Sequence, residues 1–229
     1  AADIRKIIEA QLAHPLQKNV FEMFEKNIRD SDCILYVGDN AGEIVLDRLF
    51  IETIKEQHDT DITFVVRSMP TLNDATLKDA EQAGMINLIH VVENGIDGPV
   101  PGTLLDRCSR DVNEIFQKAD LIISKGGGNF DTLDELPEKH KSKISYLLLS
   151  KCQPYATFFG LGLQRPILHN GKTLLTAKNN TTKPKNTMNT ATKFAGFERH
   201  NCQLLGVIGG HLLRAIHRSC ELSAMGNNK

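Results

Sequence analysis

The chain has no tryptophan, few aromatic residues (6%), and no apolar run near the roughly 20 residues that cross a bilayer. A membrane-spanning helix is therefore excluded from the expectation. No basic-then-apolar leader opens the sequence, which begins at Ala1, as a processed chain or a fragment would. Its five cysteines (Cys33, Cys108, Cys152, Cys202 and Cys220) are odd in number, widely spaced and form no CxxC pair. A zinc ribbon is thereby set aside, and a reducing, cytoplasmic compartment is expected. Cys33 and Cys152, in apolar surroundings, read as buried thiols.

Acidic residues are missing from one part of the chain. Residues 1–138 hold 26 acids against 13 bases, whereas residues 139–229 hold 2 against 14. Between Glu138 and Glu198 there is no acid at all. From Lys172 to Lys193, 16 of 22 residues are Lys, Asn or Thr without hydrophobic periodicity, a composition that cannot bury a core. Limited proteolysis is expected to cut there first and leave a core ending near Gly162. Such a basic tail also raises a non-enzymatic reading, nucleic-acid binding, tested by a salt-sensitive gel shift.

What is present is alternation. Helical spacing marks Asp3 to Ala13 and Asn19 to Arg29, broken at His14-Pro15. The apolar runs 33–37, 62–66, 88–92, 121–124 and 144–149 read as strands. Helices are expected at about 42–57, 73–83 (capped by Asn73) and 103–118, with a glycine- and proline-rich loop at 95–102. This pattern predicts an α/β fold, a three-layer Rossmann-like parallel sheet of about five strands. The division expected is a helical lead-in (1–30), an α/β metal- and phosphate-binding domain (31–163) and a basic, irregular tail (164–229). One amphipathic segment, from Cys202 to Ser219, stands apart within that tail.

Three strand ends carry polar clusters: Asp39-Asn40-Ala41-Gly42-Glu43, Arg67-Ser68 with Asn73-Asp74, and Lys125-Gly126-Gly127-Gly128-Asn129. In open α/β sheets, ligands bind at the carboxyl edge where the strand order reverses. If the first and fourth strands flank that reversal, Asp39 and Lys125 face each other across the crevice. Asp39, Asn40 and Asp74 supply the hard oxygen ligands of a divalent cation. Lys125, on a flexible triple-glycine turn, would place an ammonium on a phosphate, with Gly126, Gly127 and Asn129 forming an anion nest and Arg67 and Ser68 adding contacts. Each cluster has a plainer alternative: Asp-Asn as a helix cap, Glu43 as a dipole-complementing residue, the glycines as a bare loop.

The ordered series YVGDNAGEIVLDRLFIE, VVRSMPTLNDAT, ADLIISKGGGNFDTL and LLLSKCQP resembles the metal-dependent damage-control phosphatase family, long called domain of unknown function eighty-nine, in its archaeal and bacterial branch. The resemblance covers about residues 30–160 and the helical lead-in. It implies metal ligation by Asp39, Asn40 and Asp74, and Lys125 at the phosphate position. The implied activity is hydrolysis of small phosphorylated metabolites, sugar phosphates among them, with Mn²⁺, Co²⁺, Ni²⁺ or Mg²⁺. Water held by the metal is the simpler attacking group, and Asp39 as an aspartyl nucleophile is the alternative. Two departures stand out. Only the end of the family's helical region precedes the first strand, and the sequence from Phe158 looks unrelated, as a frameshifted AT-rich reading or an added segment would. A second enzymatic reading is an S-adenosylmethionine-dependent carboxyl methyltransferase, but its glycine-rich turn would follow the first strand rather than the fourth.

Overall fold

A computed structural model describes residues 16–171. The expected helix at Asp3 to Ala13 and everything from 172 onward, the Lys/Asn/Thr-rich segment included, lie outside the described residues. Helix α1 (Lys18–Arg29) leads into β1 (Cys33–Val37), α2 (Ile44–Gln57) and β2 (Asp61–Val66). Then come α3 (Leu77–Gln82), β3 (His90–Glu93), α4 (Arg110–Lys118) and β4 (Leu121–Lys125). The chain continues through α5 (Gly127–Leu133), α6 (Glu138–Lys141), β5 (Ile144–Leu149), α7 (Gln153–Phe159) and β6 (Pro166–Asn170).

The sheet runs β3-β2-β1-β4-β5-β6. The pairings among β1 to β5 are parallel, and β6 joins β5 antiparallel. The expected class is the observed one, with six strands instead of five. Strand order reverses between β1 and β4, so the crevice opens where Asp39 and Lys125 end their strands.

Alternation along β1 explains the three layers. Ile34 and Tyr36 face one side with Phe24, Ile28, Ile44, Ile51 and Ile54 of α1 and α2. Leu35 and Val37 face the other with Phe116, Phe130 and Leu133 of α4 and α5. Successive strand residues point to opposite faces, so a strand covered on both faces must be apolar throughout, as β1 and β4 nearly are.

Several boundaries differ from the sequence reading. The helix expected at 103–118 starts at Arg110, where Ser109 caps it by accepting the Val112 N–H at 3.2 Å. Helix α3 starts after Thr76 rather than Asn73, because Asp79 reaches back to accept the Thr76 N–H at 2.8 Å in a capping box. The glycines after β4 form no flexible turn, since Gly127 and Gly128 open α5. The tail boundary at 164 also moves, because residues 166–170 are a strand with Ile167 buried. Ser150 fastens the return: its N–H donates to Arg165 O (2.9 Å), its hydroxyl donates to Gly162 O (2.6 Å), and its Oγ accepts from the Arg165 N–H (2.7 Å). Proline at the first position of an edge strand removes no ladder bond the sheet needs. Cys33 and Cys152 are half-buried free thiols rather than fully buried ones. No helix among the described residues is long and apolar enough to cross a membrane.

Candidate metal centre

The loop after β2 folds back along the loop after β1. Asp39 O accepts the Ala75 N–H at 2.7 Å, Asn73 O accepts the Ala41 N–H at 2.8 Å, and Asn40 and Asp74 form an antiparallel bridge. Backbone pairing thus brings Asp39, Asn40 and Asp74 together, although 34 positions separate Asn40 from Asp74. Asn40 donates its amide to Asp39 Oδ2 at 2.8 Å and accepts from Asn73 through Oδ1. Arg67 Nε donates to Asp74 Oδ2 at 2.8 Å, leaving Oδ1 outside that ion pair.

From the opposite side comes β4. Gly126, at φ 77°, lies against the Asp39 carboxylate. Lys125 is turned inward and fully buried, its ammonium donating to Glu43 Oε1 and, at 2.7 Å, to Asp47 Oδ1. Tyr36 donates its hydroxyl to the same Asp47 oxygen at 2.7 Å. The lysine therefore anchors two carboxylates of α2 and its N-terminal turn beneath the crevice.

Three other expected phosphate ligands are likewise engaged by protein. Asn129 donates to Gly38 O (2.9 Å) and Lys125 O (2.8 Å) and accepts from Arg67 (3.0 Å) and Thr103 (2.8 Å), which uses both donors and both lone pairs. Arg67 is buried and also donates to Gly102 O at 2.5 Å, so it ties the β2 end to the 95–102 loop and α5. Ser68 bonds Asn94 Oδ1 at 3.0 Å and accepts the Gly95 N–H at 2.5 Å, fastening the β2 and β3 ends. Gly127 packs beneath Tyr155, whose hydroxyl donates to Asp131 at 2.9 Å.

Charge is the informative property of this cluster. Asp39, Glu43, Asp47 and Asp74 are four carboxylates with little or no exposure, and among the described residues only Arg67 and Lys125 are buried with them as cations. Two negative charges stay uncompensated when all are ionised. The acids respond accordingly. Burial, followed by the charge of Asp74, pushes Asp39 up to about 6 against the pull of Arg67, Lys151 and Lys125. Burial pushes Glu43 up to about 7 even with Lys125 beside it. Asp74 is raised by burial, against Arg67 and Lys151. Burial disfavours the Lys125 ammonium, but Asp47 and Glu43 outweigh it and hold the lysine above its ordinary value.

A divalent cation matches that deficit of two charges. Among the described residues no three His, Cys, Asp or Glu side chains converge as a ready-made cage. The donor set here is two carboxylates and a carboxamide, hard oxygen ligands that fit Mg²⁺ or Mn²⁺ chemistry. Sequence reasoning missed two residues of this site. Glu43, which belongs to the first polar cluster and has dipole complementation as its plainer role, was not singled out as a site residue and is buried. Lys151, two residues past the end of β5, is exposed, and its charge pulls against the burial that raises Asp39 and Asp74. The rule that drew attention to the other strand ends would have found it.

The sequence bears out this architecture by likeness. A family model described as the damage-control phosphatase ARMT1-like domain matches residues 1–166. The chain belongs to that family. It is 40% identical over 171 residues to an uncharacterized protein of Methanocaldococcus jannaschii, covering 72% of this chain and 54% of that protein. It is 35% identical over 154 residues to the damage-control phosphatase PH1575 of Pyrococcus horikoshii, covering 67% and 50%. A damage-control phosphatase of Archaeoglobus fulgidus is 30% identical over 164 residues, covering 69% and 55%. The crystal structure of a DUF89 family protein from Pyrococcus horikoshii superposes with TM-score 0.61 at 33% identity, covering 66% of this chain and 51% of that one. The chain spans about half the length of the curated relatives it matches. The family match runs past Phe158 to residue 166, so the sequence does not become unrelated at Phe158 as expected.

Proposed function

We propose that this chain carries the metal- and phosphate-binding part of a metal-dependent phosphatase acting on small phosphorylated metabolites, sugar phosphates or similar monoesters. The observation that carries the reading is the buried cluster at the sheet's switch point, two positive charges short. Family membership and relatives named damage-control phosphatases support the reaction class.

Asp39, Asn40 and Asp74 would hold the cation, with Mn²⁺, Co²⁺, Ni²⁺ or Mg²⁺ as the candidates. Once bound, such a cation neutralises phosphate oxygens and lowers the pKa of coordinated water. The protein's own contribution is positional. Arg67 fixes Asp74 through Nε to Oδ2 and leaves Oδ1 outside that pair. Asn40 fixes Asp39, and Gly126 lets the carboxylate approach β4. Lys151, exposed beside both carboxylates, is the cation suited to the substrate phosphate. Lys125 serves Glu43 and Asp47 instead. Water attacks phosphorus, the ester P–O bond breaks, and the alcohol leaves with a proton. Phosphoryl transfer depends mostly on such positioning and charge neutralisation.

The methyltransferase alternative needs a glycine turn after β1, where the sequence holds Asp39-Asn40-Ala41-Gly42 instead. The nucleic-acid alternative rests on residues outside those described. A screen of phosphorylated metabolites with each of the four metals tests the proposal. Phosphate release that disappears with chelator is the expected result, and release unaffected by chelator contradicts it.

A further inference from the structure

Glu43 and Asp47 share Lys125, and each keeps one buried carboxylate oxygen without a hydrogen-bond partner among the described residues; Glu43 is the one on the loop that carries Asp39 and Asn40. It sits at the N-cap position of α2, where a carboxylate ordinarily faces water and complements the helix dipole. Here the side chain is turned inward and is 3% exposed. Oε1 holds Lys125, while Oε2 is buried without a hydrogen-bond partner among the described residues. A buried polar atom without a partner is a rare and costly feature that calls for an unseen water or ion. The backbone places this oxygen's residue one turn from the metal set, because the Glu43 N–H donates to Asn40 O at 3.0 Å. The Asp39 and Asp47 carboxylates both act on Glu43 by charge, so its surroundings are acceptor-rich and short of donors.

We propose that Glu43 is a positioning residue of the metal centre, its Oε2 accepting a hydrogen bond from water held by the divalent cation, with Lys125 as the counter-charge that keeps the carboxylate in place. This rests on the reading of Asp39, Asn40 and Asp74 as metal ligands. It gives the buried lysine a purpose other than touching phosphate. It also accounts for a carboxylate where a neutral side chain would be easier to bury. Partners of this outer kind tune affinity by orienting what the ligands hold.

Calorimetric titration of the full chain with Mn²⁺ tests it, alongside the melting temperature of the metal-free protein. Glu43→Gln keeps the shape and the acceptor for Lys125 but replaces Oε2 with a donor. Its Mn²⁺ affinity is expected to fall about 10–100-fold, the range typical of such outer partners. Asp47→Asn removes one charge from the same lysine pair and is the control, expected to lose markedly less. Affinity within twofold of wild type in Glu43→Gln, or equal losses in the two variants, overturns the proposal. If Glu43→Gln does not fold, Glu43→Asp retains the charge and withdraws the oxygen, with the same loss expected and wild-type affinity contradicting it. Absence of Mn²⁺ binding by the wild-type chain would instead refute the metal-centre reading beneath it.

Discussion

A β-carbon placed on Gly126 would fall 1.9 Å from Oδ2 of Asp39. The turn after β4 and the carboxylate that follows β1 are thus fitted to each other across the point where strand order reverses. Gly126 also has φ 77° and ψ 168°, a backbone region occupied essentially by glycine alone, which costs an L side chain about 1–3 kcal/mol. Gly126→Ala is therefore expected to lose more than that in stability, and to lose divalent-metal binding because Asp39 is displaced. Denaturant melts and metal titration check both. A variant with wild-type affinity would show that Asp39 does not depend on this approach.

The two buried lysine and arginine pairs make a different prediction from the exposed lysine. Lys125→Met leaves Glu43 and Asp47 buried without their cation, and breaking such a pair typically costs about 3–5 kcal/mol. Its principal effect is expected in the melting temperature. Lys151→Ala, exposed after β5, is expected to leave stability nearly unchanged and to raise KM for a phosphomonoester about tenfold or more. The reverse pattern, with Lys151 needed for folding and Lys125 for KM, would exchange their roles.

Much of this was legible because the chemistry of the strands is uniform. Apolar runs of five or six residues between helical periods fix β1, β2, β4 and β5 almost to the residue, and a parallel sheet then brings their carboxyl ends to one edge. That logic also places Asp39, Asn40 and Asp74 at one edge, where backbone pairing brings them together. What was not legible depended on where side chains turn. Lys125 and Asn129 look like phosphate ligands from their glycine-rich surroundings, yet Glu43, Asp47, Arg67 and Thr103 meet them inside the protein. Spacing along the chain carries no such information. Strand β6 escaped because it opens with Pro166 and ends in His169-Asn170, leaving only Ile167 and Leu168 as an apolar run, and it is recruited by the Ser150 turn rather than by its own periodicity.

That strand yields a packing prediction. Ile167 is 3% exposed and packs with Leu148 and Tyr146. Ile167→Ala is expected to cost about 2–4 kcal/mol, as buried isoleucine truncations do. A chemical denaturation midpoint equal to wild type would mean that residues 166–170 do not belong to the sheet's stability.

Metal-free stability should depend on pH in a definite sense. Asp39 and Glu43 have native pKa values raised to about 6 and about 7, above those of the unfolded chain. The folded state therefore binds more protons than the unfolded state between pH about 4 and 7. Stability is fullest below about pH 4 for these two groups and falls as pH rises through 6 and 7. Added Mn²⁺ should reverse that fall at neutral pH, since ligand binding to the native state stabilises it. Thermal melts across this range with and without Mn²⁺ check the sign. A metal-free protein that gains stability between pH 5 and 7, after allowance for its other titrating groups, would contradict it.

The central claim is that Asp39 and Asp74 hold one divalent cation at the switch point. Calorimetric titration of the wild-type chain, Asp39→Asn and Asp74→Asn with Mn²⁺ at neutral pH tests it most directly. The expected result is a single site in the wild type and loss of that site in each variant, with both variants folded by circular dichroism. Wild-type stoichiometry and affinity in either variant would contradict it.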